Sequence, residues 1–491
     1  MKVYILIPWF QPAYKAGGPI QSVANMVKQL AVGEGQRAVG SGQEAVGSEQ
    51  LPVGGGQFAV GNGAFEFKIF CSNKDLDGSI VQGVAFDEWV PLKPVLAMTG
   101  SFATLRTKVW YSSANNILPV LKQEIKKEKP DYLFITGIYD WQYNLKPLLF
   151  CKGVKKIISV RGMLHPGALS QKGFKKKVYL WVWKMLGLHK GKAVGSEQLA
   201  LGNGGNVFHA TDVEEKKYIQ QVFGNLVNIK VAANFPNVLA VQPVVQKEPG
   251  QLKLVSIALI SPMKNILLVL EALGGLSLES GVGSRGEEGL SSESLGLSLE
   301  SSVVSSESLR SNEILPFAES DIDRFAQQKA VSSDQDDSLR REVSIEYNIY
   351  GTIKDKQYWE ACEAQIKKLP PNITVNYHGD IPPAEIIHAL AANHVFILPS
   401  KSENYGHAIY EAFTAGRPVI TSDKTPWNNL QIAKAGINVS LADTTELVQA
   451  IGLFAAMKQG ELEAWSKGAR VYAEKAVDVE EIRRQYEGMF G

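Results

Sequence analysis

The sequence is poor in cysteine and lacks both long apolar runs and an excess of charge of either sign. Its three cysteines, Cys71, Cys151 and Cys362, stand far apart, which excludes a disulfide framework or a zinc cluster and fits a reducing compartment. No stretch reaches the roughly 18 to 20 apolar residues that span a bilayer. Lys and Arg number 51 against 50 Asp and Glu, so the basic excess of a nucleic-acid-binding protein is missing. We therefore expect a cytoplasmic protein with no nucleic-acid partner.

Three segments differ in composition from the rest of the chain. Gly- and Ser-rich motifs recur at multiples of seven residues within 32–64, 191–205 and 274–343. These repeats lack the large apolar residues of a coiled-coil seam, and they cannot bury enough apolar surface to offset the entropy lost on ordering. We interpret them as flexible surface insertions, with short strand pairing as the alternative.

The remaining chain alternates short apolar runs with helical patterns. Runs such as VYILIP, FKIFCSN, DYLFITG, LKLVSIALI and VFILPS fit strands, and strands alternating with helices predict parallel sheets covered on both faces. A Pro-rich stretch at 234–250 marks a boundary. The prediction is an α/β protein of two Rossmann-like, doubly wound domains, residues 1–240 and 241–491, with the last helix free to pack back on the first domain. Ligands then bind in the cleft beyond the carboxyl ends of the strands.

The strongest motif follows the run VFILPS. Glu403 lies in the loop after this predicted strand, and Glu411 lies eight positions later in the helical segment HAIYEAFTAG. The residues at the start of that helix are Asn404, Tyr405, Gly406 and His407. Free backbone N–H groups and the positive end of the helix dipole suit a diphosphate there, and paired carboxylates suit sugar hydroxyls. The alternative is that Glu403 caps the helix and Glu411 is solvated.

The string SENYGHAIYEAFTAGRPVI resembles the Glu-x7-Glu signature of family 4 glycosyltransferases with the GT-B fold. The segments IPWFQPAYKAGGPIQSVANMVKQL, VFHATDVEEKKYIQQVFG, SPMKN and TPWNNLQIAKAGINV resemble further parts of that family in the same order. The resemblance implies retaining transfer of a sugar from a nucleotide-diphosphate sugar to a glycan or lipid-linked glycan. It also implies a place in cell-envelope or exopolysaccharide biosynthesis.

The resemblance assigns roles to individual residues. Glu411 corresponds to the residue that hydrogen-bonds the donor ribose, and Glu403 to the one that contacts the donor sugar. Gly17 and Gly18 correspond to the glycine loop that approaches the donor phosphates or the acceptor, and glycine there permits positive φ. Lys264 corresponds to the lysine that binds the diphosphate, where an ammonium offsets the charge that develops on the leaving group.

The sequence departs from the family at Leu259. Members of the family usually have an Arg at this position, five residues before the residue that corresponds to Lys264. Arg161, in the segment ISVRGMLHPGAL after a predicted strand, is the candidate substitute for that missing cation; a structural ion pair is its alternative role. His165 is a candidate hydrogen-bond partner of the donor sugar or a satisfied loop histidine. His407 is expected to act through its backbone N–H group.

We expect neither a metal nor a cofactor. The histidines lack ligand spacing, and the only Asp-x-Asp motif, Asp321 to Asp323, falls inside the third repetitive segment.

The segment 171–192 holds seven lysines and no acidic residue, with Trp181 and Trp183 between them. This composition favours peripheral contact with an anionic membrane, at the inner face of the plasma membrane. The alternative is a domain helix whose two tryptophans pack inward while its lysines reach into solvent.

Two other functions remain open from the sequence. Sugar-nucleotide epimerases also use two facing Rossmann-like domains, but they require acid and base carboxylates at the sugar. The loss of a cation at Leu259 and the large share of repetitive sequence would instead fit a catalytically weak subunit that binds sugar nucleotides.

Overall fold

The computed structural model describes residues 1–31, 65–92, 107–114, 116–170, 173–189, 206–279 and 343–491. The predicted insertions at 32–64 and 191–205 lie outside these ranges, so their interpretation stays a prediction. Of the third predicted insertion, 274–279 are helical, because the helix that precedes it continues to Glu279. The rest of that segment, apart from Val343, lies outside the described residues.

The first domain is built on a sheet with eight described strands. These strands are β1 (Lys2–Leu6), β2 (Glu66–Ser72), β3 (Trp89–Pro91), β4 (Thr107–Ser112), β5 (Tyr132–Thr136), β6 (Lys155–Ser159), β7 (Val207–Ala210) and β8 (Asn228–Val231). Their order is β3-β4-β2-β1-β5-β6-β7-β8. All pairings are parallel except that of β3 with β4 at one edge.

Helices cover both faces of this sheet. They are α1 (Gly18–Ala31), α2 (Leu118–Glu128), a π-helical turn (Trp141–Leu145), α3 (Lys146–Phe150), α4 (Pro166–Ser170), α5 (Gly173–Met185) and α6 (Val213–Phe223). Along β1, Val3 and Ile5 join one buried cluster, while Tyr4 and Leu6 join another. Burial on both faces explains why the strand sequences are continuously apolar instead of alternating.

The second domain has a sheet with six described strands, which all pair in parallel. Its strands are β9 (Gln251–Ile257), β10 (Ser344–Tyr350), β11 (Ile373–Tyr377), β12 (Val395–Leu398), β13 (Val419–Ser422) and β14 (Gly436–Val439), in the order β11-β10-β9-β12-β13-β14. Its helices are α7 (Ile266–Glu279), α8 (Lys356–Ile366), α9 (Ile386–Ala391), α10 (His407–Thr414), α11 (Thr445–Ala456) and α12 (Gln459–Ala476).

The last helix, α13 (Val479–Phe490), returns to the first domain. Its side chains Ile482, Tyr486, Met489 and Phe490 belong to the core beside β1 and α1. The Phe490 ring centroid lies 5.4 Å from that of Phe65. The chain therefore crosses between the two domains twice, once before β9 and once before α13.

The predicted fold class is confirmed: two doubly wound α/β domains with parallel sheets. One edge departs from the prediction, because the short antiparallel strand β3 makes the first sheet mixed. Within the described residues, no helix has the length and apolar character needed to cross a membrane.

Candidate active site

One cleft collects loops from both domains at the carboxyl ends of the strands. Gly17 and Gly18 follow β1, Arg161 follows β6, Lys264 follows β9, and Glu403 follows β12. The other predicted residues that line the same cleft are Asn404, Tyr405, Gly406, His407 and Glu411. The structure thus brings together residues that are up to 394 positions apart in the sequence, as expected for a site at facing sheet edges.

Lys264 and Glu403 form an ion pair in this cleft. The Lys264 Nζ donates to Glu403 Oε1 at 2.5 Å, and Ser400 Oγ donates to the same oxygen at 2.6 Å. The Glu403 side chain is only 9% exposed. The lysine and the serine hydroxyl therefore fix the position of the Glu403 side chain in the cleft, where it has little contact with solvent.

The amino terminus of α10 opens onto the cleft without a side-chain cap. Gly406 precedes it with φ of +77°, a conformation that strongly favours glycine. A Cβ at Gly406 would lie 3.1 Å from Nε1 of Trp427, which donates to the Tyr405 carbonyl at 2.6 Å. The buried Trp427 thus holds the loop on its core side. The first backbone N–H groups of α10 remain available to an anion on the cleft side.

Glu411 lies one turn inside α10, and its side chain is buried. Asn237 Nδ2, from the segment that links the domains, donates to Glu411 Oε1 at 2.8 Å. Burial raises the pKa of Glu411 to about 7, although the Asn237 bond lowers it in part. The carboxyl group is therefore held away from bulk water and changes its ionisation near neutral pH.

The glycine loop is held by a buried carboxylate that the sequence did not single out. Asp75 accepts the backbone N–H of Tyr14 at 2.9 Å and that of Lys15 at 3.2 Å. Gly17 has φ of +67°, and Cβ atoms at Gly17 or Gly18 would meet other atoms no closer than 3.9 Å. The backbone conformation therefore favours glycine at position 17, and the loop leaves open space toward the cleft.

Arg161 faces the same cleft from the first domain in a strained conformation. Its φ is +52°, which is rare for a residue with a side chain. Its Nη1 donates to Asn234 Oδ1, whereas its buried Nε and Nη2 have no hydrogen-bond partner among the described residues. Three guanidinium N–H groups, one on Nε and two on Nη2, thus lack a partner among the described residues.

His165 is placed differently from the other predicted residues, because it does not line the cleft. Its Nδ1 accepts the backbone N–H of Gly167 at 3.1 Å, and its Nε2 lies 3.4 Å from Ser402 Oγ. The ring also packs edge-on against Tyr218. These contacts fit the alternative of a satisfied histidine between the loops better than direct contact with a donor sugar.

Three further polar contacts between described residues join the domains across the cleft. His407 Nε2 lies 2.7 Å from Ser22 Oγ, and Thr211 Oγ1 donates to Asn404 Oδ1 at 2.8 Å. The Lys15 ammonium lies 3.1 Å from Asp380. Burial, together with the nearby cations, lowers the pKa of His407 to about 3, so its imidazole is neutral. The His407 ring thus forms a hydrogen bond across the cleft. The sequence had predicted a role only for its backbone N–H group.

The sequence reasoning missed the partners Ser22, Asp75, Asn234 and Asn237. Each is a common polar residue to which no motif assigned a role, although Ser22 lies within the quoted segment 7–30, and each acts only through a residue distant in the sequence. No signal in a single sequence could have identified them. Among the described residues, no group of three or more His, Cys, Asp or Glu side chains is arranged to hold a metal ion.

The second domain matches a known protein family. Residues 335–471 match the family described as glycosyl transferases group 1. No curated protein matches the chain.

Solved structures of the same architecture cover the whole chain. Sucrose-phosphate synthase from Thermosynechococcus elongatus is 12% identical with a TM-score of 0.57, over 100% of this chain and 98% of that one. HepE from Anabaena, solved with UDP and glucose, is 13% identical with a TM-score of 0.51, over 100% and 99%. WaaG, a glycosyltransferase involved in lipopolysaccharide biosynthesis, is 11% identical with a TM-score of 0.50, over 100% and 99%.

These structures show that the chain has the GT-B fold. Together with the family match, they support a glycosyltransferase, and the resemblance inferred from the sequence is confirmed at this level. The assignment to family 4 stays a prediction.

Proposed function

We propose that this chain, with its GT-B fold and its match to group 1 glycosyltransferases, is a retaining glycosyltransferase of the family 4 type. It moves a sugar from a nucleotide-diphosphate sugar to a glycan or lipid-linked glycan. The observation that carries the proposal is the convergence of the Lys264–Glu403 pair, buried Glu411 and the uncapped start of α10 on one cleft. The complex of HepE with UDP and glucose supports a donor of this class.

The donor is held at three points in this proposal. The Glu411 carboxylate accepts hydrogen bonds from the ribose hydroxyls, with Asn237 fixing its orientation. The diphosphate lies at the start of α10, where backbone N–H groups and the helix dipole favour an anion. Glu403, held by Lys264 and Ser400, accepts from hydroxyls of the donor sugar.

Departure of the nucleoside diphosphate places negative charge between the two domains. Lys264 offsets this charge from one side and Arg161 from the other, with the arginine supplying the N–H groups of its two unpartnered nitrogens, Nε and Nη2. Preorganised cations of this kind act where charge develops in the transition state. Because protein cations take this role, we propose that transfer requires no metal and no cofactor.

The acceptor hydroxyl attacks the anomeric carbon from the face that the diphosphate leaves and passes its proton to the departing diphosphate, so the anomeric configuration is retained. Three carboxylates line the described cleft, and each is already engaged. Glu403 is paired with Lys264, Glu411 accepts from Asn237, and Asp380 is bound by Lys15 and Thr352. We therefore assign no covalent nucleophile to the enzyme.

We also propose that the chain works in the cytoplasm, at the inner face of the plasma membrane, in the assembly of cell-envelope or extracellular polysaccharide. A lipid-linked glycan would be met there. The lysines and exposed aromatic residues of 171–192 support this placement.

Release of free nucleotide tests the proposed reaction. The purified chain is incubated with UDP-, GDP- and dTDP-sugars, with and without a lipid-linked glycan acceptor and with and without EDTA. We expect acceptor-dependent release of nucleoside diphosphate, a product with the donor's anomeric configuration by NMR, and no loss of rate in EDTA. An epimerised sugar nucleotide formed without acceptor would identify an epimerase, and donor binding without turnover would identify a binding subunit. Either result contradicts the proposal.

A further inference from the structure

Helix α5 presents a stripe of large apolar side chains to solvent. Phe174 is 82% exposed, Val178 45%, Trp181 61% and Met185 63%. At about 100° per residue, these four positions fall within an arc of about 60° on the helix. The sequence alternative of two inward-packed tryptophans is therefore wrong for Trp181. This apolar stripe, residues 174, 178, 181 and 185, has no cover among the described residues.

The opposite side of α5 is fixed to the domain. Leu180 and Trp183 are buried, and the Trp183 ring lies 5.6 Å from that of Phe223 on α6. The Tyr179 hydroxyl donates to the Ile138 carbonyl at 2.5 Å. The apolar stripe is thus held outward by a rigid helix, and its exposure does not come from a loosely attached segment.

Exposed lysines flank the stripe on both sides. Lys175 lies about 100° from Phe174 in one direction around the helix, while Lys177 and Lys184 lie about 60–80° away in the other. No acidic residue occurs between 173 and 189. An apolar stripe between two rows of cations is the arrangement of helices that lie in the plane of a bilayer surface.

The charges also favour one kind of partner over another. Exposed apolar patches of this kind mark contact surfaces, and a protein surface or a bilayer could cover this one. A second copy of the chain would bring the same lysines against each other. An anionic lipid surface instead offers apolar acyl chains to the stripe and phosphate groups to the lysines on either side.

We infer that α5 docks the first domain on an anionic lipid bilayer. Phe174, Trp181 and Met185 enter at the level of the headgroups, and Lys175, Lys177 and Lys184 contact lipid phosphates. The inference goes beyond the proposed transfer reaction and does not rest on it, since lipid binding is measured without donor or acceptor.

Vesicle flotation of the full chain tests this surface. Phosphatidylcholine vesicles are compared with vesicles that also contain phosphatidylglycerol. We expect wild type to float with the mixed vesicles only, and the double variant Phe174→Glu, Trp181→Glu to bind them at least about tenfold more weakly. The matched control is Ile432→Glu, which places the same charge at a residue 70% exposed in the second domain and is expected to bind as wild type does.

A label at the centre of the stripe gives a second measurement that does not depend on added charge. The three native cysteines are buried, so Trp181→Cys can be labelled selectively with an environment-sensitive dye. We expect its emission to shift to the blue on mixed vesicles.

Three results would overturn the inference: no binding of wild type to mixed vesicles, equal binding of the double variant, or no shift of the dye. If wild type dimerises and the double variant stays monomeric without either binding lipid, a second copy covers the stripe and the lipid inference is also wrong.

Discussion

Replacing Lys264 with alanine is expected to lower kcat for glycosyl transfer by about 100- to 1000-fold. The ammonium that faces the departing diphosphate is then lost, and so is the group that holds the Glu403 carboxylate at 2.5 Å. Because the charge on the diphosphate develops mainly in the transition state, kcat should fall far more than the donor KM rises through the weaker hold on Glu403. Steady-state kinetics of nucleotide release give both values.

A second substitution separates catalysis from folding in this experiment. Lys264→Ala leaves the Glu403 side chain, only 9% exposed, without its cation, and loss of one partner of a buried pair destabilises a protein. Adding Glu403→Gln should restore the melting temperature but not the activity. Lys401→Ala, which removes an exposed lysine near the same loop, is the matched control and should transfer normally. Recovery of activity in the double variant would contradict the role of Lys264.

Replacing Arg161 with glycine is expected to lower transfer by about 100-fold while leaving stability within about 1 kcal/mol of wild type. Glycine adopts the φ of +52° without strain, and this gain offsets the loss of the bond to Asn234. Activity is lost because the unpartnered Nε and Nη2 of the guanidinium are no longer present to bind the diphosphate. Thermal melting tests the expected stability, and nucleotide release from the same preparation tests the expected loss of transfer.

Two further variants show whether Arg161 acts by its charge in the cleft. Leu259 lines the same cleft, so adding Leu259→Arg to the glycine variant should recover part of the lost activity. Lys129→Gly is the control, because Lys129 also has positive φ, at +48°, but lies outside the cleft at the end of α2. The Lys129→Gly variant should have a melting temperature near that of wild type and full transfer activity. An Arg161→Gly variant that transfers normally would show that the arginine has only a structural role.

Most of the fold could be predicted because its central strands are buried on both faces. Strands such as β1, β5 and β12 appear as nearly continuous apolar runs, and their alternation with helices defines doubly wound sheets. The strands missed, β3, β4, β8 and β14, lie toward the sheet edges. β3 has three residues, β4 contains the exposed Lys108, and β8 is half exposed. Their sequences therefore carry a weaker apolar signal.

The site could be predicted only where its residues form a local motif. Glu403, Gly406 and Glu411 fall within one loop and helix, so their spacing is visible in the sequence. The contact of His407 with Ser22 joins residues 385 positions apart, and that of Glu411 with Asn237 joins residues 174 apart. Such pairs arise only when two sheets face each other across a cleft.

Helix α5 gives a second example of structural information that the sequence alone did not reveal. Trp181 and Trp183 stand two positions apart, which on a helix places them about 160° from each other. One is therefore buried when the other is exposed, as the structure shows. The sequence interpretation treated them as a pair because composition alone does not give the rotation of a helix.

Calorimetric titration of a nucleotide sugar into wild type and Glu411→Gln tests the central claim most directly. Burial raises the pKa of Glu411 to about 7, and the ionised form accepts the ribose hydroxyls. Donor affinity of wild type should therefore rise between pH 6 and pH 8, by roughly tenfold at most. The glutamine variant should bind weakly at both pH values without this rise. If no UDP-, GDP- or dTDP-sugar binds the folded wild type, or if the variant binds equally well, the donor site is not where we place it.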